Sequence, residues 1–169
     1  MRFRFQPTFS VLFILLLSGC DDGLAPKVIL APQSIYGIRG TIFFKNWPPA
    51  DSVVDLRLAA LKNSPSSNIF NDVIQGRVRF SGTLLPYGAD SISYELLLAP
   101  LSPGLFSYIG VAQQFGQNIR TDWRLVGVYH SAGDTLQPGT VNVPADSIVS
   151  GIDLLVDFQH LPPQPLARE

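Results

Sequence analysis

Tyr36-Gly37-Ile38-Arg39-Gly40-Thr41-Ile42-Phe43-Phe44-Lys45 is the stretch that reveals the fold most directly. Apolar and polar residues alternate along it, so that one side of an extended backbone is apolar and the other polar: Ile38, Ile42 and Phe44 against Arg39, Thr41 and Lys45. Alternation with a period of two residues indicates a strand with one buried face. Residues 36–45 are therefore predicted to form the first β-strand.

The same signature returns at short intervals, between turns that are rich in Gly, Pro, Ser and Asn. The chain has 14 Gly and 14 Pro, which suits many short strands better than helices. Residues 69–74 are predicted to form a short helical turn or an irregular edge. The further predicted strands are 52–62, 77–81, 91–99, 105–113, 122–130, 140–143 and 151–158.

Three of these strands carry predictions about which side chains are buried. In 52–62 the inward series is predicted to be Val54, Leu56, Leu58 and Ala60. Residues 105–113 have no clear polar face, which predicts a central strand. In 122–130 the predicted inner face is Trp123, Leu125 and Tyr129.

Seven or eight short strands predict an all-β domain over residues 36–160. Short connections favour antiparallel neighbours, and half-apolar sheets must bury their faces against each other. The prediction is an antiparallel β-sandwich of the Ig-like or prealbumin-like kind, and a closed barrel is the alternative. Residues 161–169, which contain Pro162, Pro163 and Pro165, are predicted to be a disordered tail.

The N-terminal residues have the pattern of a secretory signal peptide. Arg2 and Arg4 are followed by an unbroken apolar run over residues 11–17 and then by small residues. A membrane-spanning helix needs roughly 20 apolar residues, and Pro7 and its polar neighbours leave too few. Residues 1–19 are therefore predicted to be a leader that directs export.

Leu17-Ser18-Gly19-Cys20 resembles the lipobox of bacterial lipoproteins. The resemblance implies cleavage between Gly19 and Cys20 and attachment of fatty acyl chains, such as palmitate, to the Cys20 sulfur and amine. Cys20 is the only cysteine, so an exported chain has no disulfide partner for it. Two or more acyl chains would hold the protein stably on a membrane.

Residues 20–35 are predicted to be the lipidated N-terminus and a flexible tether. Asp21 and Asp22 directly follow the cysteine and resemble both an inner-membrane retention signal and a surface-export signal of bacterial lipoproteins. We expect a lipid-anchored protein of the bacterial cell envelope at the outer membrane, with the periplasmic or surface face left open.

Size and charge limit the classes of partner. Without residues 1–20 the chain has 149 residues, the size of one domain. The count of Lys and Arg then falls from 12 to 10 against 13 Asp and Glu, a net charge of −3. No basic run is present, which argues against nucleic acid as a partner.

Three segments together resemble prealbumin-like, carboxypeptidase-regulatory-like sandwich domains. Residues 37–42 are similar to the opening strand of such domains, and residues 101–108 are similar to their Pro-Gly turn into a strand. Residues 151–154, with Phe158, are similar to the closing strand of such domains in bacterial lipoproteins. The resemblance implies a sandwich fold with an accessory or adhesive role and brings no catalytic residues.

The sequence contains no motif that predicts catalysis, a metal or a cofactor. His130 and His160 are thirty residues apart and have no neighbours at metal-ligand spacing. Asp153 and Asp157 are about 13 Å apart along one strand, too far for a glycosidase pair. We therefore predict a protein that is not an enzyme.

Aromatic residues in predicted turns are the remaining candidates for ligand contact. Trp47 lies in a Pro-rich turn, Tyr87 in another, and Phe115 begins the loop before the strand at 122–130. Exposed aromatic rings stack on sugars or anchor protein partners, whereas buried ones seal the ends of a core. The prediction is a non-catalytic interaction or structural module, with envelope protein or glycan as partner. A glycan- or peptide-binding surface lipoprotein is the alternative.

Overall fold

The computed structural model describes residues 34–132 and 136–165, and strands dominate this part of the chain. The predicted β-rich class is confirmed. One helix, α1 (Ile69–Ile74), and a 3-10 turn at Ala50–Ser52 interrupt the strands. The strands are β1 (Gly37–Lys45), β2 (Asp55–Leu61), β3 (Val78–Phe80), β4 (Ser91–Leu97), β5 (Gly104–Phe106), β6 (Tyr108–Gln114), β7 (Trp123–Val128), β8 (Val141–Val143), β9 (Ile148–Val149) and β10 (Leu154–Asp157).

The strands form one large curled sheet and one small sheet. The large sheet has eight strands, in the order β3-β2-β6-β7-β10-β1-β4, with β9 also paired to β1. Strands β5 and β8 form the two-stranded sheet. The sheet curls enough for its first and last strands to touch, since the Arg79 Nε of β3 donates to the Leu97 carbonyl of β4 at 2.8 Å.

The large sheet is mixed, so the prediction of a purely antiparallel arrangement is wrong. Strand β1 runs parallel to β10, with Ile42 opposite Leu154, and parallel to β9. It runs antiparallel to β4 on its other side, where Ile42 lies opposite Ile92. Short connections predict antiparallel neighbours only for strands that follow one another. Strands β1 and β10 come from opposite ends of the domain, and no local pattern specifies their direction.

The main core lies on the inner face of the curled sheet. The apolar side chains predicted to point inward from β1 are buried there: Ile38, Ile42 and Phe44. The last predicted strand behaves in the same way, with Ile152, Leu154, Val156 and Phe158 all buried. The strict alternation of these two segments therefore predicted their buried faces correctly.

The predictions about strands 52–62 and 105–113 are correct in part. In 52–62, Leu56, Leu58 and Ala60 are buried in the main core as predicted, but Val54 is not. Val54 is 40% exposed, because β2 begins only at Asp55. The segment 105–113 contains two strands that belong to different sheets, β5 and β6, separated by Ser107. The Ser107 N–H donates to the Leu61 carbonyl at 3.2 Å. Strand β6 itself is buried along its whole length, as expected of a central strand.

The predicted inner face of 122–130 is only partly correct. Tyr129 packs against the main core, but Trp123 and Leu125 pack on the opposite face of the sheet, and Val126 is buried in the main core instead. The cause is a β-bulge: Val111 pairs with Gly127 while the next residue, Ala112, pairs with Leu125. One extra residue in β7 resets its alternation.

A second cluster of apolar residues lies on the outer face of the sheet. Its members come from β2, β3, β6 and β7, and the helix residue Ile69 packs against them together with Trp123. Burial on both faces explains why β6 has no polar side. The buried members are Ala59, Leu61, Val78, Tyr108, Ala112, Leu125 and Val128.

The segment predicted as a tail is fixed at one point. The Gln164 side chain accepts a hydrogen bond from the Leu125 N–H at 2.8 Å and donates one to the Leu125 carbonyl at 2.9 Å. It thereby occupies the place of a neighbouring strand at that point of β7. No helix in residues 34–132 and 136–165 is long and apolar enough to cross a membrane.

Candidate functional site

An apolar hollow of about 220 Å³ lies on the outer face of the sheet, beside α1. We call it the outer pocket. Nine of its eleven lining residues are apolar, and three of those are aromatic. The lining consists of Asp55, Arg57, Ala59, Ile69, Phe70, Val73, Val78, Phe80, Ala112, Ile119 and Trp123.

Small side chains on two central strands leave the space for the outer pocket. Ala59 of β2 and Ala112 of β6 both line it and are 97% buried. Their neighbours in the lining are larger: Phe80 comes from β3 and Trp123 from β7. Two alanines surrounded by aromatic side chains produce a depression, because nothing fills the volume above their methyl groups.

Helix α1 is held beside the outer pocket by polar contacts at both ends. The Asn68 side chain caps the helix by accepting from the Phe70 N–H at 3.0 Å. Asp72 is 98% buried and accepts from the Ser66 N–H at 2.8 Å and from the Arg77 guanidinium. A six-residue helix is too short to be stable alone, so these contacts fix the apolar side chains that it contributes.

A compact loop supplies another part of the wall of the outer pocket. The Asp122 side chain accepts from the Asn118 N–H at 2.9 Å, and the Asn118 side chain accepts from the Arg120 N–H at 3.0 Å. The indole N–H of Trp123 donates to the Ile119 carbonyl at 2.9 Å. These bonds hold Trp123 and Ile119 together at one edge of the hollow.

The two charged residues of the lining pair with each other. Arg57 Nε donates to both carboxylate oxygens of Asp55, at 2.9 and 3.1 Å. Its Nη1 donates to the carbonyls of Ser81 and Gly82, and its guanidinium carbon lies 5.9 Å from the centre of the Phe80 ring. The lining therefore carries no uncompensated charge.

The outer pocket is suited to an uncharged apolar group. A cavity of 150 Å³ lined by aliphatic and aromatic side chains is large enough to bind benzene. The outer pocket, at about 220 Å³, exceeds that volume. Hydroxyl groups buried against its nine apolar side chains would lose their hydrogen bonds to water without replacement, which costs free energy.

The three aromatic residues predicted to contact ligand do not meet at one site. Trp47 and Tyr87 contact each other, with ring centres 5.0 Å apart, and neither lines the outer pocket. Phe115 is 42% exposed, and its ring centre lies 5.4 Å from the Arg124 guanidinium carbon. The predicted lipidation and cleavage residues, Cys20 and Gly19, lie outside the described residues.

Sequence reasoning missed the aromatic residues that do line the outer pocket. Trp123 was predicted to lie in the core, and neither Phe70 nor Phe80 was predicted to contact a ligand. Two local features mark these residues: Phe80 lies between Arg79 and Ser81 in a segment with two Arg, and Phe70 lies in residues 69–74, which were predicted to form a helical turn or an irregular edge. Neither feature indicates on its own that the three rings surround two alanines.

A second hollow, of about 400 Å³, brings both histidines together with two aspartates. It is lined by His130, His160, Asp153 and Asp157, among others. Hydrogen bonds from the Asn46 side chain, the Gln159 N–H and His160 lower the pKa of Asp157 to about 2. Among the described residues, no three His, Cys, Asp or Glu side chains are close enough together to hold a metal ion.

Comparison with known proteins gives no match to a protein-family model, to a curated protein or to a solved structure.

Proposed function

We propose that this chain is a lipid-anchored lipoprotein of the bacterial cell envelope whose β domain is a non-catalytic interaction module. The anchor is supported by the lipobox-like Leu17-Ser18-Gly19-Cys20, behind a basic and then apolar leader. Acylation of Cys20 would place the domain at the outer membrane. The proposed partners are the membrane, through the lipid, and an envelope protein.

The outer pocket is the observation that carries the proposed role as an interaction module. Its aromatic walls and paired charges resemble the hot-spot pockets of protein interfaces, where a few buried apolar side chains supply most of the binding energy. At its rim Phe80 is 39% exposed, Val73 37% and Ile119 55%. Such a surface is suited to contact with a partner.

The proposal includes a sandwich-like architecture of the prealbumin-like kind for the domain. Support comes from the main core, which collects buried side chains from both ends of the large sheet, such as Leu58 of β2 and Leu96 of β4. Phe106 of β5 and Val143 of β8, in the small sheet, join the same core. Opposed sheet segments that share one core are the defining feature of a sandwich.

The second candidate function is ligand binding at the cell surface, by recognition of a peptide or a glycan. The apolar lining favours the peptide form, because a glycan needs hydrogen-bond partners that a hollow with nine apolar residues does not supply. Recognition of a glycan would use the aromatic turn residues Trp47 and Tyr87 as stacking surfaces. Trp47 is instead engaged by neighbouring rings.

Metabolic labelling with a fatty acid tests the anchor. The wild-type chain should incorporate label and stay with the membrane fraction, and Cys20→Ala should lose both properties. Ser18→Ala is the matched control, since it keeps a small residue before the cleavage site and should remain labelled. An unlabelled wild type, or label that persists in Cys20→Ala, would remove the anchor from the proposal.

A photo-crosslinking amino acid tests the interaction surface in intact cells. Placed at Ile119, on the rim of the outer pocket, it should give a discrete adduct. Placed at Leu105 of β5, which is almost equally exposed (54% against 55%), it should give none. Ala112→Leu, which fills the hollow, should remove the adduct at position 119. Equal adducts at both positions, or none at position 119, would contradict the proposed surface.

A further inference from the structure

We infer that the outer pocket takes one aromatic side chain of a polypeptide partner, and that an acidic residue beside that side chain pairs with Arg120. The inference rests on the proposed function, because it specifies the partner of the same surface. It follows from the size of the hollow, the charges around it and the apolar rim.

The volume of the hollow selects a single ring. Pockets for drug-sized ligands have volumes of roughly 300–1,000 Å³, whereas the outer pocket has about 220 Å³. An aromatic ring fits such a space. Trp123 and Phe80 in the lining offer edges and faces to an inserted ring.

The charges around the hollow favour an acidic group next to that ring. Arg57 and Arg77 are already neutralised, by Asp55 and Asp72. Arg120 directly follows the rim residue Ile119 and is exposed, and its guanidinium has no ion-pair or hydrogen-bond partner among the residues that the structure describes. Because Arg120 is next to the rim residue Ile119 in the chain, we expect its guanidinium to reach a partner carboxylate beside the inserted ring.

The apolar rim favours a polypeptide over a small aromatic molecule. Val73, Phe80 and Ile119 are 37–55% exposed, and a free ring in the hollow would contact only the parts of these side chains that line it. Ile74, next along α1, is 68% exposed and extends the apolar surface beyond the hollow. A polypeptide that inserts one ring can cover this surface with its flanking residues, which excludes water from around the anchor.

The walls of the hollow are preorganised for this contact. The loop that carries Ile119 and Arg120 is closed by the Asp122 N–H, which donates to the Asn118 carbonyl at 2.9 Å, and by the Trp123 indole bond. The side of the pocket formed by α1 is held by the buried carboxylate of Asp72. Little ordering is needed on binding, so little affinity is lost to it.

Short peptides provide the test, with the full chain held in phospholipid nanodiscs. The probe is acetyl-Ser-Gly-Phe-Asp-Gly-Ser-amide, and Trp123 emission is the signal in a chain that carries Trp47→Phe. We expect saturable binding that weakens at least tenfold when the peptide Phe becomes Ala. Arg120→Gln should weaken binding by about two- to fivefold, and 0.5 M salt should reduce that difference.

Replacement of two alanines by leucine shows whether binding is lost because the hollow is filled or because the domain unfolds. Ala112→Leu should abolish binding of the probe and keep the thermal transition of the parent chain. Ala145→Leu, at an exposed position in the turn between β8 and β9, should change neither.

Three results would overturn the inference: no binding of the Phe peptide, equal binding of the Ala peptide, or saturation by chitotetraose in its place. Fatty-acid labelling of Cys20 tests the lipid anchor independently of peptide binding. A labelled chain that binds no Phe peptide leaves the anchored module standing without this partner. An unlabelled chain that binds the peptide leaves the partner assignment standing without the anchor.

Discussion

The two tryptophans of this chain make the same kind of hydrogen bond but have different neighbours. Each is partly buried, and each donates its indole N–H to a backbone carbonyl at 2.9 Å, Trp47 to Ala89 and Trp123 to Ile119. The ring centres of Phe44, Phe158 and Tyr87 lie 4.6–5.0 Å from that of Trp47. No aromatic pair in the described part of the chain includes Trp123.

The two tryptophans therefore differ in their structural role: Trp47 closes one end of the main core, whereas Trp123 borders the outer pocket. Around Trp47 the rings come from the end of β1 (Phe44), from the residue after β10 (Phe158) and from the turn at Tyr87, and they close one end of the main core. Around Trp123 the neighbours include Ala59 and Ala112, which leave a hollow. The same residue type thus packs against the main core in one place and borders the proposed binding surface in the other.

Replacement of the two tryptophans should give the largest contrast. We expect Trp47→Ala to lower the free energy of unfolding by about 3 kcal/mol, since it removes a packed ring and leaves a cavity against the core. Trp123→Ala should cost roughly half as much, because one side of its ring already faces the hollow. Urea denaturation followed by far-ultraviolet circular dichroism measures both. If Trp123→Ala lowered the free energy of unfolding more than Trp47→Ala, the structural roles given to the two tryptophans would be contradicted.

Enlarging an alanine should sharpen the contrast between the two faces of the sheet. Ala60 is fully buried in the main core, and Ala60→Leu should destabilise the chain by about 2 kcal/mol through overpacking. Ala112→Leu fills existing space and should leave stability unchanged or raise it by about 0.5 kcal/mol. Thermal unfolding measures the stability of both variants. If both substitutions were equally destabilising, the hollow beside Ala112 would not exist in solution.

Loss of the Gln164 side chain should have a smaller and local effect on the face that carries Trp123. Gln164→Ala removes both hydrogen bonds to Leu125 and should cost about 1 kcal/mol. Hydrogen exchange of the Leu125 amide should accelerate, whereas exchange in β1 should not change. Gln159→Ala is the control, and unchanged exchange at Leu125 would show that Gln164 does not hold β7.

The smallest effect concerns the carboxylate beside the sealed end. The Asn46 side chain donates to Asp157 at 2.8 Å and is the main cause of the lowered pKa of about 2. Because the folded pKa lies below its ordinary value of 3.8, Asp157 stabilises the fold above about pH 4. That contribution is lost as the pH falls through about 2.

Asn46→Gly tests this dependence, since Asn46 has a φ of +57° that glycine adopts readily. The variant should raise the pKa of Asp157 towards 3.8 and flatten the loss of stability between pH 4 and pH 2. Nuclear magnetic resonance titration of the carboxyl group reports the pKa. His160→Gln, which removes a lesser contact, should give a smaller shift, and an unshifted pKa in Asn46→Gly would exclude the Asn46 bond as the main cause.

The fold could be predicted from the sequence where alternation was strict. The buried faces of β1 and of residues 152–158 were read correctly, because each residue there contacts the same face as the residue two positions away. In β7 the bulge at Val126 broke this rule and moved Trp123 and Leu125 to the other face. A bulge depends on the partner strand, so β7 alone gave no sign of it.

The outer pocket could not be predicted in the same way. Its lining comes from β2, α1, β3, β6, the loop before β7 and β7 itself, which together span residues 55–123. No sequence motif joins these segments. Ala59 and Ala112 are 53 positions apart in the sequence and share the hollow only because β2 pairs with β6. The loop aromatics Trp47, Tyr87 and Phe115 were the natural candidates by composition, but composition does not report which rings pack against each other.

The sequence by itself determined the β-rich class and the inward faces of the strands at both ends of the domain, because side-chain alternation is a local property of an extended backbone. It also supplied the lipobox, which stays a prediction. Only the tertiary structure decided that β1 runs parallel to β10, that the sheet is buried on both faces at β6, and that Trp123 borders a hollow. These features arise from contacts between segments far apart in the chain, and no local pattern encodes such contacts.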